Sequence, residues 1–278
     1  MSTINCKGTL IDLSTPKVMG ILNLTPDSFF DGGTLKSEHA IITKVAKMLD
    51  EGATFIDVGG YSSRPGADFV SEEEELNRVV PVVDVLLKNF PTILISVDTF
   101  RSEVAKNAIL HGAALINDIS AGLLDEQMLP TIASLQVPYI MMHMKGTPQT
   151  MQTLAHYDNL IKEVNFYFSE RIAAARSLGI NDVIIDPGFG FAKTMAHNYE
   201  LLQKLELLQF HELPILAGIS RKSMIYKTLE TTPEKALNGT TFLHAFCLQK
   251  GASILRVHDV AEAVECVKLM NQLKQGNG

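Results

Sequence analysis

The feature that most constrains this chain is a beat repeated eight times along it. A short apolar or β-branched run ends in polar or glycine residues, a longer helical pattern follows, and the cycle begins again. The strand-like runs lie at 18–22, 54–58, 93–97, 114–116, 139–142, 183–185, 215–217 and 253–257. They are continuously apolar rather than alternating, as suits parallel strands buried on both faces. Between them, 38–51 carries Ile41, Ile42, Val45, Met48 and Leu49 at helical spacing, and 158–178 reads as another helix. Ser71 followed by Glu74 is a capping-box signature for a helix over 72–88. Thr232-Pro233 predicts a further helix start, with proline at its first position. Strands alternating with helices imply right-handed βαβ crossovers, and eight such units fit a closed barrel better than an open sheet. The expected fold is α/β, a (β/α)8 TIM barrel, with residues 1–16 forming a short N-terminal hairpin that plugs its bottom. No linker or low-complexity stretch interrupts 1–278, so the chain reads as a single domain, near the roughly 250 residues typical of such barrels.

Composition narrows the functional classes. A net charge of −7 argues against nucleic acid as a partner, while leaving room for a local cationic pocket. Cys6, Cys247 and Cys266 form no metal-binding or disulfide spacing, and with no signal peptide or membrane-length apolar run the expected location is the cytoplasm.

In such a barrel the chemistry sits where the strands end, on the C-terminal face. Those ends carry Asn23, Asp57, Asp98, Asn117, His143, Asp186, Ser220 to Lys222 and Arg256 to His258. Any one of them has a plain explanation as a helix cap, turn former or surface charge; their concentration on one face points to a site. The acceptors and amide of Asp98, Asn117 and Asp186 suit a flat, nitrogen-rich heterocycle. Arg64, Arg221, Lys222, Arg256 and His258 form a cationic set of the kind that holds phosphate. The glycine-rich 186–194 is no Walker A loop; its glycines suggest a turn that lets backbone approach a ligand, and Lys193 reads as an exposed loop lysine. The loops after the first two strands, 23–29 and 59–66, read as flaps over the substrate.

Eight segments in order, one at each strand end, carry a resemblance: GILNLTPDSFFDGG (20–33), DVGGYSSRPGA (57–67), SVDTFR (96–101), NDISAG (117–122), MHMKGTP (142–148), DPGFGFAKT (186–194), GISRKSM (218–224) and RVHDV (256–260). The chain resembles the dihydropteroate synthase family along nearly its whole length. The resemblance implies a transferase of folate biosynthesis that joins a dihydropterin-methyl diphosphate to 4-aminobenzoate and releases diphosphate. It implies that Asp98, Asn117, Asp186 and Lys222 bind the pterin, with Met142 packing on it. Asn23 would ligate Mg²⁺ on the diphosphate, and Ser63, Arg256 and His258 would hold the phosphates. Ser63, Arg64, Pro65, Phe189, Lys222 and Ser223 would line the 4-aminobenzoate site that sulfonamides mimic. Asp98, Lys222, Asp186 and Arg256 are the expected catalytic set, and a homodimer is the expected assembly. Ser63 stands where many members have threonine, and Arg101 where lysine is common, which would keep a cation near Asp98. A pterin-dependent methyltransferase, a non-catalytic pterin-binding barrel and a sugar-phosphate aldolase or isomerase are the alternatives. The first would lack a diphosphate pocket, the second would have lost a phosphate ligand or a flap, and the third needs a Schiff-base lysine or a carboxylate base.

Overall fold

The computed structural model describes residues 3–24, 35–61 and 69–275. It opens with an antiparallel hairpin, β1 (Thr3–Cys6) and β2 (Thr9–Asp12). Eight parallel strands follow: β3 (Lys17–Asn23), β4 (Phe55–Gly59), β5 (Leu94–Asp98), β6 (Leu115–Asp118), β7 (Tyr139–Met142), β8 (Val183–Asp186), β9 (Leu216–Ala217) and β10 (Ile254–Val257). Each pairs with its neighbour in chain order, and β10 returns to β3. The last seam is thin. β8 and β9 meet through one bridge, Ile185 with Ile215, and the Ile185 amide donates to the Pro214 carbonyl at 3.0 Å. The expected closed barrel is what the chain builds.

Around it lie α1 (Leu35–Asp50), α2 (Glu72–Asn89), α3 (Ser102–Leu110), α4 (Met128–Leu135), α5 (Leu160–Ser177), α6 (Met195–Gln203), α7 (Ser223–Thr228), α8 (Leu237–Gln249) and α9 (Val260–Gln275). The Ser71 hydroxyl accepts from the Glu74 amide at 3.1 Å, so the serine half of the expected box caps α2, while the Glu74 carboxylate accepts from Arg78. Thr232-Pro233 behaves differently from expectation. Proline starts only a 3₁₀ turn, Pro233–Lys235, and α8 begins afterwards at Leu237 without a side-chain cap.

Two apolar layers explain the continuously apolar strands. Because side chains alternate across a strand, Ile56, Val58, Ile95, Val97, Ile185 and Leu255 face outward and pack against the helices. Met19, Phe55, Leu115, Ile140, Ile184, Leu216 and Ile254 instead fill the lower interior of the barrel. Ile4, Cys6 and Leu13, from the hairpin segment, join that inner cluster from below, so the hairpin does plug the bottom.

Candidate active site

Two residues further along four of the strands, the inward positions change character. Asp57 follows Phe55, Asn117 follows Leu115, Asp186 follows Ile184 and Arg256 follows Ile254. Parallel register then sets neighbours side by side. Asn23 aligns with Gly59, Gly59 with Asp98, and Asp98 with Asn117, so three polar side chains occupy one row across four strands. Gly59 keeps that row open: a Cβ there would stand 3.5 Å from Asp98 Cβ and 3.9 Å from Asn23 Oδ1.

Arg256 rises from the far side of β3 and joins this row. Its Nη2 donates to Asp98 Oδ2 at 2.7 Å and its Nε to Asp57 Oδ2, which also accepts from Asn117 Nδ2 at 3.1 Å. Asp57 is fully buried, whereas the side chains of Asp98 and Arg256 are 20% and 19% exposed, placing them at the mouth. Burial pushes the Asp98 carboxyl up to about 7; Arg256 opposes the shift, and Asp57, Glu75 and Asp118 add to it. Burial works against the charge on Arg256, but Asp57 and Asp98 outweigh it and hold the guanidinium above its ordinary value.

The opposite wall is built from the loop after β8. Met142 aligns with Asp186 in the ladder, and Asp186 Oδ1 accepts from the Gly188 amide at 2.8 Å. Burial raises the Asp186 carboxyl, against the Gly188 bond and the nearby Lys222, Arg256 and Lys193. Lys222 stands at the N-cap of α7, one residue before Ser223, with its Nζ 4.4 Å from the centre of the Phe191 ring. Ser220 Oγ meets His258 Nδ1 at 3.0 Å and accepts from the His258 amide at 3.2 Å, so the ring of His258 is oriented. Phe189, expected to line the aminobenzoate site, is instead almost completely buried and packs with the outer core.

The structure therefore gathers Asn23, Asp98, Asn117, Met142, Asp186, Lys222, Ser223, Arg256 and His258 at the strand ends. Ser63, Arg64, Pro65 and most of both expected flaps lie outside the described residues. Among the described residues no cluster of three or more His, Cys, Asp or Glu could hold a metal; an oxygen ligand at the mouth would be Asn23.

Four further expectations change. Arg221 is not a free cation of the expected set: its Nε and Nη2 bind both oxygens of Asp259 at 2.8 and 2.5 Å. Lys193 is buried rather than exposed, because the 186–193 loop folds back over it. Arg101 is paired with Glu75 and with the Val70 carbonyl, and Asp98 takes its cation from Arg256 instead. The Gly188 backbone approaches protein, since a Cβ there would lie 2.1 Å from the His143 carbonyl oxygen. Asp57 carried no role in the sequence beyond its strand-end position, and only barrel closure reveals it as the hub between Arg256 and Asn117.

Residues 19–258 match the model of the pterin binding enzymes. The chain is 46% identical over 266 residues to the dihydropteroate synthase of Escherichia coli, covering 95% of this chain and 94% of that one. Among solved structures, dihydropteroate synthase of Yersinia pestis in complex with a sulfonamide drug superposes with a TM-score of 0.91 at 42% identity, covering 99% of both chains. The Xanthomonas albilineans enzyme with 4-aminobenzoic acid gives 0.90 at 41% identity and 98% of both chains. With its acids, amide and cations gathered at the mouth of an eight-stranded barrel, the chain belongs to the dihydropteroate synthase family of pterin-binding enzymes.

Proposed function

We propose that the barrel mouth joins (7,8-dihydropterin-6-yl)methyl diphosphate to 4-aminobenzoate, giving 7,8-dihydropteroate and diphosphate. The observation that carries this is the facing of two walls: Asp57 and Asp98 bound to Arg256, with Asn117 bound to Asp57, on one side, and Asp186 beside Lys222 on the other. Asp98, Asn117 and Asp186 offer acceptors and an amide to the ring N–H and carbonyl groups of a pterin, with Lys222 as a further donor and Met142 against the ring. Arg256 and His258 hold the diphosphate with Ser63. Ser63, Arg64, Pro65, Lys222 and Ser223 border the aminobenzoate, the place a sulfonamide would take.

The carbon–oxygen bond of the methyl diphosphate breaks and its electron pair leaves with the diphosphate. The arylamine nitrogen then bonds to the methylene carbon and gives up a proton. A neutral amine attacking a cation needs no strong base; what the site supplies is charge placed in advance. Ionised Asp98 and Asp186 favour the pterin-methyl cation, and Arg256 favours the departing anion. Mg²⁺ fits the donor set: the Asn23 amide oxygen borders the gap that Gly59 leaves open, and this ion takes one or two protein oxygens beside water and phosphate. Bound there, Mg²⁺ would supply positive charge to the diphosphate oxygens.

The direct test is an assay for dihydropteroate with both substrates and Mg²⁺. Product formation is expected, and intact pterin binding without product would identify a non-catalytic pterin-binding barrel instead. Rapid quench with the pterin diphosphate alone separates the two timings of bond breaking. Carbon–oxygen cleavage before aminobenzoate is added is expected; strictly none would refute the dissociative order.

The assembly belongs to the same proposal. Phe242, Leu269 and Leu273 are exposed on α8 and α9, and Phe242 and Leu273 border a cleft with Phe246 and Met270. A second copy would cover this apolar surface. Phe242→Glu should shift the sedimentation of the protein from dimer toward monomer. A cytoplasmic setting fits three buried free thiols, of which burial pushes that of Cys6 up to about 12. Among the described residues no helix is long and apolar enough to cross a membrane.

A further inference from the structure

Lys193 lies seven residues beyond Asp186 with only 6% of its surface exposed. A buried amine is costly unless every donor finds an acceptor. Its Nζ has three close partners: His143 Nδ1 at 2.9 Å and the carbonyls of Gly188 and Phe191 at 3.1 Å each. Two of these belong to the loop that Lys193 itself ends, and the third to the residue after β7. One amine thus closes the loop on itself and ties it to the neighbouring strand.

The loop needs such a tie. Gly188, Gly190 and Ala192 hold φ of 69°, 83° and 47°, and alanine lacks the freedom that glycine has there. The Tyr157 hydroxyl donates to the Ala192 carbonyl at 2.9 Å, and the His143 ring meets the edge of Tyr167 with centroids 4.8 Å apart, so the surroundings of the amine are themselves fixed. What the loop carries gives the tie its meaning. The Gly188 amide holds Asp186, and the Phe191 ring lies against the Lys222 ammonium.

Resting on the pterin-site assignment above, we propose that Lys193 is a positioning residue: through the Gly188 and Phe191 carbonyls it sets Asp186 and Lys222 for the heterocycle without touching it. Its chemistry is suited to that role. Burial pushes the amine down to about 7, with Lys222 and Lys145 adding to the effect and Asp186 opposing it. Either charge state satisfies the same three contacts. An ammonium donates to both carbonyls and to His143 Nδ1; a neutral amine donates to the carbonyls and accepts from Nδ1–H. Burial, together with Lys193 and Lys145, keeps His143 neutral, so a change of tautomer absorbs the difference without moving a heavy atom.

The test uses the full chain carrying Lys193→Met or Lys193→Gln, with calorimetric binding of the dihydropterin-methyl diphosphate and steady-state kinetics. Lys193→Met should raise the Kd for the pterin diphosphate about tenfold, the effect of losing one charged hydrogen bond, while KM for 4-aminobenzoate, which meets only Lys222 of the two positioned residues, rises less, by about two- to threefold. Lys193→Gln, which keeps a donor, should lose less. If either variant melts close to wild type and binds the pterin diphosphate as tightly, the proposal is overturned. An equal rise in both constants would also overturn it, since that marks general loosening. Should Lys193→Met not fold, Lys193→Gln is judged by the same criteria. A wild type that does not bind the pterin diphosphate would refute the site assignment instead, so the two failures are distinguishable.

Discussion

The inside of this barrel has two levels that differ by one step of two residues along each strand. The lower level, Met19, Phe55, Leu115, Ile140, Ile184, Leu216 and Ile254, is apolar and closed from beneath by the hairpin segment. The upper level replaces four of these side chains with Asp57, Asn117, Asp186 and Arg256. The backbone is the same ladder at both heights, so the difference lies entirely in what the side chains require. The lower level is held by burial, which asks only for volume and apolarity. The upper level is held by charge pairing, in which the removal of one member strands the others. Stability therefore resides at one end of each strand and chemistry at the other.

The sharpest way to break that division is Arg256→Ala. Losing it leaves Asp57 and Asp98 facing each other without a cation, and breaking a buried pair costs about 3–5 kcal/mol. We expect kcat/KM to fall by roughly 10²–10³, together with a loss of thermal stability that grows with pH. The sign follows from Asp98, whose folded-state value already stands near 7 and rises further without Arg256. A raised value contributes stability below about pH 4 and loses it as pH rises through the folded value. Melting at pH 5 and pH 8 checks this: an equal deficit at both would contradict the charge account.

Phe55→Ala probes the other level. It should cost about 3–5 kcal/mol in urea unfolding, while the folded fraction keeps its kcat/KM within about twofold. A large fall in kcat/KM with little loss of stability would show that the two levels are not separable. Asp98→Asn comes next. Wild-type stability should decline between about pH 4 and 7 from this carboxyl, and the amide should flatten that part of the profile. The smallest effect belongs to a polar pair on the outside of the barrel. The Tyr139 hydroxyl donates to Asp118, which also accepts from Ser120 and Gly122, so Tyr139→Phe should cost about 1 kcal/mol and leave substrate constants unmoved.

Much of this was legible in the sequence, and the parts that were not share a cause. Strand periodicity and the residue that ends each run are local properties, so the barrel and the facing of Asp98, Asn117 and Asp186 could be read directly. Pairing across the barrel is not local. Arg256 finds Asp57 199 positions away, and Arg221 finds Asp259 38 positions away, so neither commitment leaves a mark on its own segment. Lys193 misleads for a related reason. A lysine in a glycine-rich loop looks solvated until the left-handed turns at Gly188, Gly190 and Ala192 bring two carbonyls back over it. Pro233 misleads at shorter range, because fixing φ starts a turn without deciding whether α or 3₁₀ bonding follows.

The single bridge between Ile185 and Ile215 gives the barrel a clasp. Every other pair of staves is laced by a ladder, but here two residues of β9 and one bonded neighbour complete the circle. Asp186 stands on one side of that clasp and the segment leading to Lys222 departs from the other, with Gly218 facing the Asp186 carboxylate between them. A molecule gripped by both residues would straddle the seam and act as an added stitch. Whatever the mouth holds there also fastens the wall that holds it.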